Sequence, residues 1–317
     1  NGAPEEARTQ SELDRAVRLL TAKRRLAKSR LGIIGGQAPG FFAMAPDANA
    51  LYAHLGVQVQ RYSLVQFLEM VNSVGEEAIA EDVKRVEAIG LPYRDAEPGD
   101  LATQSRYYLA FESLYDDERL DALALQCWPE LPNAVGQWPY LSMARISDTG
   151  VGIAMEGDGD GALTATIGGM LGMGACYLTD WLEHDEKRIT FWHPGNIPFS
   201  LSPKIGTEGG PMLARHFNNK KPLVVESVVR TGEPVTIARL WNVRSGYRLT
   251  AFEGTTVAPN RGFMGAHAVV ELANHVPGEI FDELCHRGMP HHVGVFFGSH
   301  EKTLRSWARL SGVEFVG

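Results

Sequence analysis

Cysteine is scarce in this chain, and its scarcity excludes a good deal. Cys127, Cys176 and Cys285 are the 3 cysteines among 317 residues. They form no Cys-x-x-Cys pair, so neither a disulfide framework nor a structural zinc site is expected. The same usage suits a reducing compartment, and the cytoplasm is the expected location. No apolar run approaches the roughly 20 residues needed to span a bilayer, and no signal-peptide pattern follows Asn1. A first residue other than Met raises the expectation of a processed or partial chain. Excess positive charge is also absent: the formal net charge is -8, which argues against broad attraction to nucleic acid or to an anionic membrane. Gly32, Gly35, Gly36 and Gly40 do not meet the Gly-x-Gly-x-x-Gly fingerprint, leaving little support for a nicotinamide or flavin.

What is present is a hydrophobic content of 44% with 21% charged residues, ordinary for a globular protein and ample for a sizeable core. Residues 5–30 carry a helical pattern, with Leu13, Ala16, Val17, Leu20 and Ala27 near one face, and serve as a connector into the first strand. From Leu31 to Asp148 the pattern alternates. Strand-like runs at Leu31–Ile34, Val57–Tyr62 and Ala122–Gln126 are separated by helical stretches, including 101–116 and 134–147. This order implies a right-handed parallel α/β unit over residues 31–171.

Residues 172–317 read differently. Runs at 223–229, 235–241, 247–252 and 266–271 are β-rich and separated by Gly, Pro and Asn turns, as in an antiparallel sheet or small barrel. The expected fold class is therefore a parallel-sheet α/β domain followed by a β-rich C-terminal domain.

The stretch Val151-Gly-Ile-Ala-Met-Glu156-Gly-Asp-Gly-Asp-Gly161 joins a short apolar strand to a helix through a glycine-rich turn. Open α/β sheets place ligands at the carboxyl ends of strands, and a carboxylate flanked by glycines there suits a cation. An EF-hand is excluded, because the bidentate Glu required at its twelfth position would be Ile167. Asp158 and Asp160 have an ordinary alternative as helix caps. Two further apolar runs stop on metal-ligand residues: Ala175–Asp180 and Ile189–His193. His292 follows a later helix. Taken singly, Asp180 reads as a cap, His193 as a turn residue before Pro194 and His292 as a buried core histidine. Taken together, Glu156, Asp180, His193 and His292 are an oxygen and nitrogen set suited to Mn²⁺, Fe²⁺, Co²⁺ or Zn²⁺.

At these residues the chain resembles the L-fucose isomerase and L-arabinose isomerase superfamily of aldose-ketose isomerases. Glu156-Gly-Asp-Gly-Asp-Gly-Ala-Leu-Thr164 is similar to the family's Glu-x-Asp segment, and Asp180 follows Glu156 by 180 - 156 = 24 positions, the fucose-isomerase spacing. Phe191-Trp-His193 resembles the segment that supplies a histidine near the metal in the arabinose branch. Gly288-Met-Pro-His-His292 resembles the C-terminal histidine motif, whose second histidine is the ligand, and Gly35-Gly-Gln-Ala-Pro-Gly-Phe41 the start of the middle domain. Pro194 stands where close relatives often carry Cys, and the resemblance implies a further N-terminal α/β domain, which adds to the expectation of a processed or partial chain.

The resemblance implies an Mn²⁺-dependent isomerase acting through a cis-enediol, with Glu156 and Asp180 as ligands and acid/base pair, His292 as third ligand, and His193 as fourth ligand or substrate contact. Gln126 and Trp128 are expected at the sugar, although packing is an ordinary role for Trp128. A homo-oligomer, trimer or hexamer, is also implied. The alternatives are a non-catalytic sugar-binding relative and an epimerase or lyase using the same enediolate chemistry.

Overall fold

The computed structural model describes residues 7–244 and 246–317. Four strands, β1 (Arg30–Ile34), β2 (Gln58–Tyr62), β3 (Ala122–Leu125) and β4 (Gly152–Ala154), form one sheet in the order β2-β1-β3-β4, and every pairing within it is parallel. The helices along this half are α1 (Ala7–Leu26), α2 (Ala48–Leu55), α3 (Leu64–Ser73), α4 (Glu76–Ile89), α5 (Leu101–Asp116), α6 (Glu130–Ala134), α7 (Tyr140–Asp148) and α8 (Gly159–Met170). β1 and β3 are buried almost throughout, which is why they read as continuous apolar runs rather than alternating ones.

The remaining strands are β5 (Tyr177–His184), β6 (Arg188–His193), β7 (Met212–Ala214), β8 (Val224–Val228), β9 (Pro234–Val243), β10 (Gly246–Val257), β11 (Ala266–Leu272), β12 (His292–Phe297) and β13 (Glu314–Val316). They form a 9-stranded mixed sheet in the order β13-β10-β9-β12-β5-β6-β11-β8-β7. β10 also pairs with β11, so the strands from β10 through β9, β12, β5 and β6 to β11 close into a ring. This is the barrel-like form of the β-rich expectation. Two helices complete the chain, α9 (Pro277–His286) and α10 (Glu301–Ser311).

Alternation along β12 shows how the two halves meet. Val293 and Val295 join an apolar cluster with Tyr177, Phe191, Ile237 and Trp241. Phe296 belongs instead to the cluster that holds Leu31, Leu123, Ile153 and Leu163 of the α/β half. A Cβ built on Gly294 would lie 3.5 Å from Thr164 of α8, so α8 is wedged between the sheets, in contact with β3, β4, β9 and β12. Burial on both sides explains its composition of Gly, Ala and Thr with few large side chains.

Three expectations need correction. The face of α1 that packs inward is Leu19, Ala22 and Leu26, whereas Leu13, Val17 and Leu20 are half exposed; both stripes have helical spacing, and packing against α10 and α8 selects one. Glu5 and Glu6 lie outside the described residues. The single helix expected over 134–147 is two, α6 and α7, because Gly136 adopts a φ of 85° and Pro139 then precedes the new helix. Asp180 does not end its strand but sits inside β5.

Candidate active site

The site begins where β3 and β4 end side by side. The Gly157 N–H donates to the Leu125 carbonyl at 3.0 Å, and the Glu156 carbonyl accepts from the Ala38 N–H at 2.9 Å. Two strand ends and the β1 exit loop therefore meet at Glu156. Close approach demands glycine next door: a Cβ on Gly157 would lie 1.8 Å from the Gly36 carbonyl oxygen. Glu156 itself adopts a φ of 60°, in the left-handed region that costs a residue with a Cβ roughly 1–3 kcal/mol. The strained backbone aims a carboxylate at the cavity next to it.

Across that cavity wall, the β-rich half supplies the partners through strand register. Asp180 on β5 lies directly opposite His292 on β12 and Trp192 on β6, and His193 follows Trp192. His292 Nε2 is 3.2 Å from Glu156 Oε2 and 3.2 Å from Asp180 Oδ1. Ligand atoms of Glu156, His193 and His292 lie within 4.8 Å of one another, as do those of Asp180, His291 and His292. The four expected residues, joined by His291, which the sequence reading had not singled out, thus fall into two overlapping triads that share His292.

The imidazoles are held from behind. His193 Nδ1 bonds Asn196 Oδ1 at 2.7 Å, and Asn196 in turn donates to the Leu178 carbonyl at 3.0 Å. His292 Nδ1 bonds Asp158 Oδ2 at 2.9 Å. Such outer bonds fix the tautomer and leave Nε2 as the free ligand atom. His193 Nε2, His292 Nε2 and Asp180 Oδ1 are all buried without a well-aligned hydrogen bond, His292 Nε2 having only the two carboxylate oxygens at 3.2 Å beside it. Orphaned buried polar atoms of this kind are costly, and a divalent cation between them fits the donor set.

Asp158 is more than a cap. It accepts from the Gly161 N–H at the start of α8, a contact worth about 0.5–2 kcal/mol, and it also takes both terminal nitrogens of Arg239 at 2.5 and 2.8 Å. Both side chains of this ion pair are fully buried. Burial alone would raise the Asp158 carboxyl, but Arg239 and His292 hold it well below the usual carboxylate range.

Asp160 is similarly buried. It receives the Asn242 N–H at 3.1 Å and the Tyr247 hydroxyl at 3.3 Å, and burial pushes it up to about 7 against the opposing pull of Arg239. For His193, burial lowers the imidazole pKa, favouring the neutral form. For His292, burial acts in the same direction but is outweighed by Asp158, Asp180 and Glu156, which raise it well above its ordinary value. Asp180 is lowered, its burial outweighed by His292. Three carboxylates surround one imidazole, and Arg239 and the raised His292 offset part of their charge.

A cavity of about 240 Å³ opens on this locus. Glu156, Asp180, His193, His291, His216 and Asn218 form its polar part; Phe41, Trp128, Trp138, Tyr140, Trp192 and Phe217 its aromatic walls. Trp128, expected at the sugar, lines it. Gln126 does not: its amide oxygen covers Gly35, 2.7 Å from where a Cβ would stand, because the residue two before Trp128 turns back over the β1 exit. Cys127 is fully buried, and burial beside Glu156 pushes its thiol up to about 12, so it is not a nucleophile. No motif or periodicity pointed to Tyr140, Trp138 and His216. These stack together, with Trp138 and His216 centroids 4.2 Å apart.

No family model matches the chain. Among curated proteins, it is 30% identical over 320 residues to the sulfoquinovose isomerase of Priestia aryabhattai, covering 99% of this chain and 70% of the relative. The chain belongs to the sulfoquinovose isomerase family. The enzyme of that name from Alkalicoccus urumqiensis is 27% identical over 318 residues, with the same coverage. More distantly, the chain is 22% identical over 269 residues to the L-arabinose isomerase of Shouchella clausii, covering 83% of this chain and 54% of the relative.

Membership in the sulfoquinovose isomerase family makes the chain a sugar isomerase, and a small-molecule sugar is its substrate. Relatedness to the L-fucose isomerase branch, suggested by the Glu156 to Asp180 spacing, is not among these similarities. Among the described residues, no helix is long and apolar enough to cross a membrane.

Proposed function

We propose that the chain is a metal-dependent aldose-ketose isomerase whose substrate is a sulfonated aldose such as the sulfoquinovose of its relatives' names. The observation that carries the reading is that Glu156, Asp180, His193 and His292, from both halves of the fold, fall into two triads that share His292 beside an aromatic cavity. A divalent cation held there, Mn²⁺ in the family that the sequence resembles, would act as a Lewis acid toward adjacent oxygens of the open-chain sugar.

The chain's own groups account for the proton movements. Glu156 removes the proton at C2 and returns it to C1, and Asp180 exchanges a proton with the sugar oxygens, through a cis-enediol. Asp158 and Asn196 keep the two imidazoles oriented. The aromatic walls shelter the apolar face of the sugar and exclude water.

The test is isomerisation of sulfoquinovose followed by NMR in D₂O with metal-stripped protein. Turnover should be at background with EDTA and return with Mn²⁺, giving the ketose with deuterium introduced during the transfer. Full turnover in EDTA, or an epimer or elimination product in place of the ketose, would overturn the reading. A ketose without deuterium would replace proton transfer by a hydride shift or a fully shielded proton.

A further inference from the structure

The wall of the cavity beyond Tyr140 is built by the turn 215–221, Arg-His-Phe-Asn-Asn-Lys-Lys. Tyr140 spans the distance: its ring centroid is 5.3 Å from that of His193 and 6.5 Å from that of His216. His216, Phe217 and Asn218 line the same cavity as Glu156 and Asp180, with Tyr140 between His216 and His193.

The turn has no acidic residue in a chain whose net charge is -8. Arg215 is engaged with Asp95, through its backbone carbonyl, and lies 3.7 Å from Glu97 and 3.9 Å from Asp100. The two lysines are not neutralised in this way. Lys220 Nζ donates to the Phe217 carbonyl at 2.7 Å, and Lys221 Nζ donates to the Pro132 carbonyl. Each carbonyl oxygen takes one of an ammonium's three N–H groups and leaves the charge, and among the described residues neither ammonium has a salt bridge.

His216 adds a fixed donor. The Asn218 N–H donates to its Nδ1 at 3.2 Å, so the ring proton of the neutral imidazole resides on Nε2. The ring is buried, clamped flat against Trp138. Burial first, then His193 and Lys220, lower its pKa to about 4, which keeps it a neutral donor at ordinary pH. Among the described residues, no protein acceptor takes the Nε2 proton.

We propose that His216 and Asn218, backed by the charges of Lys220 and Lys221 in the same turn, form a subsite for an anionic substituent on the end of the sugar remote from its carbonyl. Sulfonate and phosphate share the chemistry required, a compact group of oxygens that accepts hydrogen bonds and carries negative charge. The subsite rests on the isomerase reading of the same cavity.

Calorimetric titration with a hexose, its 6-sulfonate and its 6-phosphate tests the subsite separately from turnover. Wild-type protein should bind at least one of the anionic sugars about tenfold or more tighter than the neutral one, the tighter of the two identifying the source. Asn218→Asp, which sets a like charge on the wall, should remove the preference. Lys220→Gln with Lys221→Gln should reduce it severalfold while leaving the neutral sugar's affinity unchanged. Unchanged thermal midpoints exclude misfolding as the cause. Equal affinity of wild-type protein for all three sugars, or variants that weaken all three alike, would overturn the proposal. An anion preference without isomerisation would leave the subsite standing and remove the isomerase reading.

Discussion

Glu156→Gln lowers isomerisation by at least about 10²–10⁴-fold, the range associated with loss of a general acid or base, while the protein folds as before. The substitution removes charge at nearly constant volume and leaves the backbone, held by the Ala38 and Gly157 hydrogen bonds, untouched. The companion Glu156→Gly separates function from strain. Because the φ of 60° at this position favours glycine, removing the side chain relieves roughly 1 kcal/mol or more of backbone strain. Its thermal midpoint should therefore be at or above wild type while activity is lost. Sugar turnover and thermal denaturation of the two variants measure this directly. Near wild-type turnover of Glu156→Gln with Mn²⁺ supplied would remove Glu156 from the mechanism. A marked fall in the midpoint of Glu156→Gly would remove the strain argument.

Arg239→Met destabilises the protein by about 3–5 kcal/mol, because it leaves the Asp158 carboxylate buried without its cationic partner. Both groups are fully buried and joined by two hydrogen bonds, so water cannot take over the role of the guanidinium. The pH dependence follows from the direction of the Asp158 shift. A depressed carboxyl contributes stability above its unfolded pKa, near 4, and loses it as pH falls through the folded value. The variant's carboxyl moves upward, so its deficit is largest at neutral pH and narrows toward about pH 4, where protonation relieves the buried charge. Adding Asp158→Asn removes the remaining charge and should recover much of the stability, although His292 then loses its anionic partner. Thermal transitions of both variants at pH 7 and pH 4 measure this. A single variant as stable as wild type at pH 7 would show that the pair contributes little.

The degree to which the molecule was legible in its sequence differs from element to element. β1, β3 and α5 were readable because period, length and bounding Gly or Pro agree. The inner face of α1 was not: Leu13, Val17 and Leu20 repeat as regularly as Leu19, Ala22 and Leu26, and only the position of α10 distinguishes them. Glu156 was visible as the one carboxylate between an apolar strand and a run of glycines. Its meeting with Asp180 and His292 depends on the register of β5 against β12, which are separated by more than 100 residues, and on α8 lying between the two sheets.

Asp158 was legible only in half its role. A capping aspartate has a local signature, whereas its hold on His292 requires Arg239, which is hidden inside the strand run Val235–Trp241. Gln126 was misplaced because a polar residue at a strand end can turn either way, and here it covers Gly35. The far wall of the cavity had no signature at all. Tyr140 begins a helix and His216 occupies a turn, and neither carries periodicity that would announce a shared surface.

Manganese binding to the metal-stripped protein, followed by the electron paramagnetic resonance signal of free Mn²⁺, tests the account most directly. The convergence of Glu156, Asp180, His193 and His292 predicts one tightly bound ion per chain, with binding greatly weakened by His292→Gln, the substitution at the residue common to both triads. Undiminished binding in that variant, or no stoichiometric binding by the wild-type chain, would contradict it.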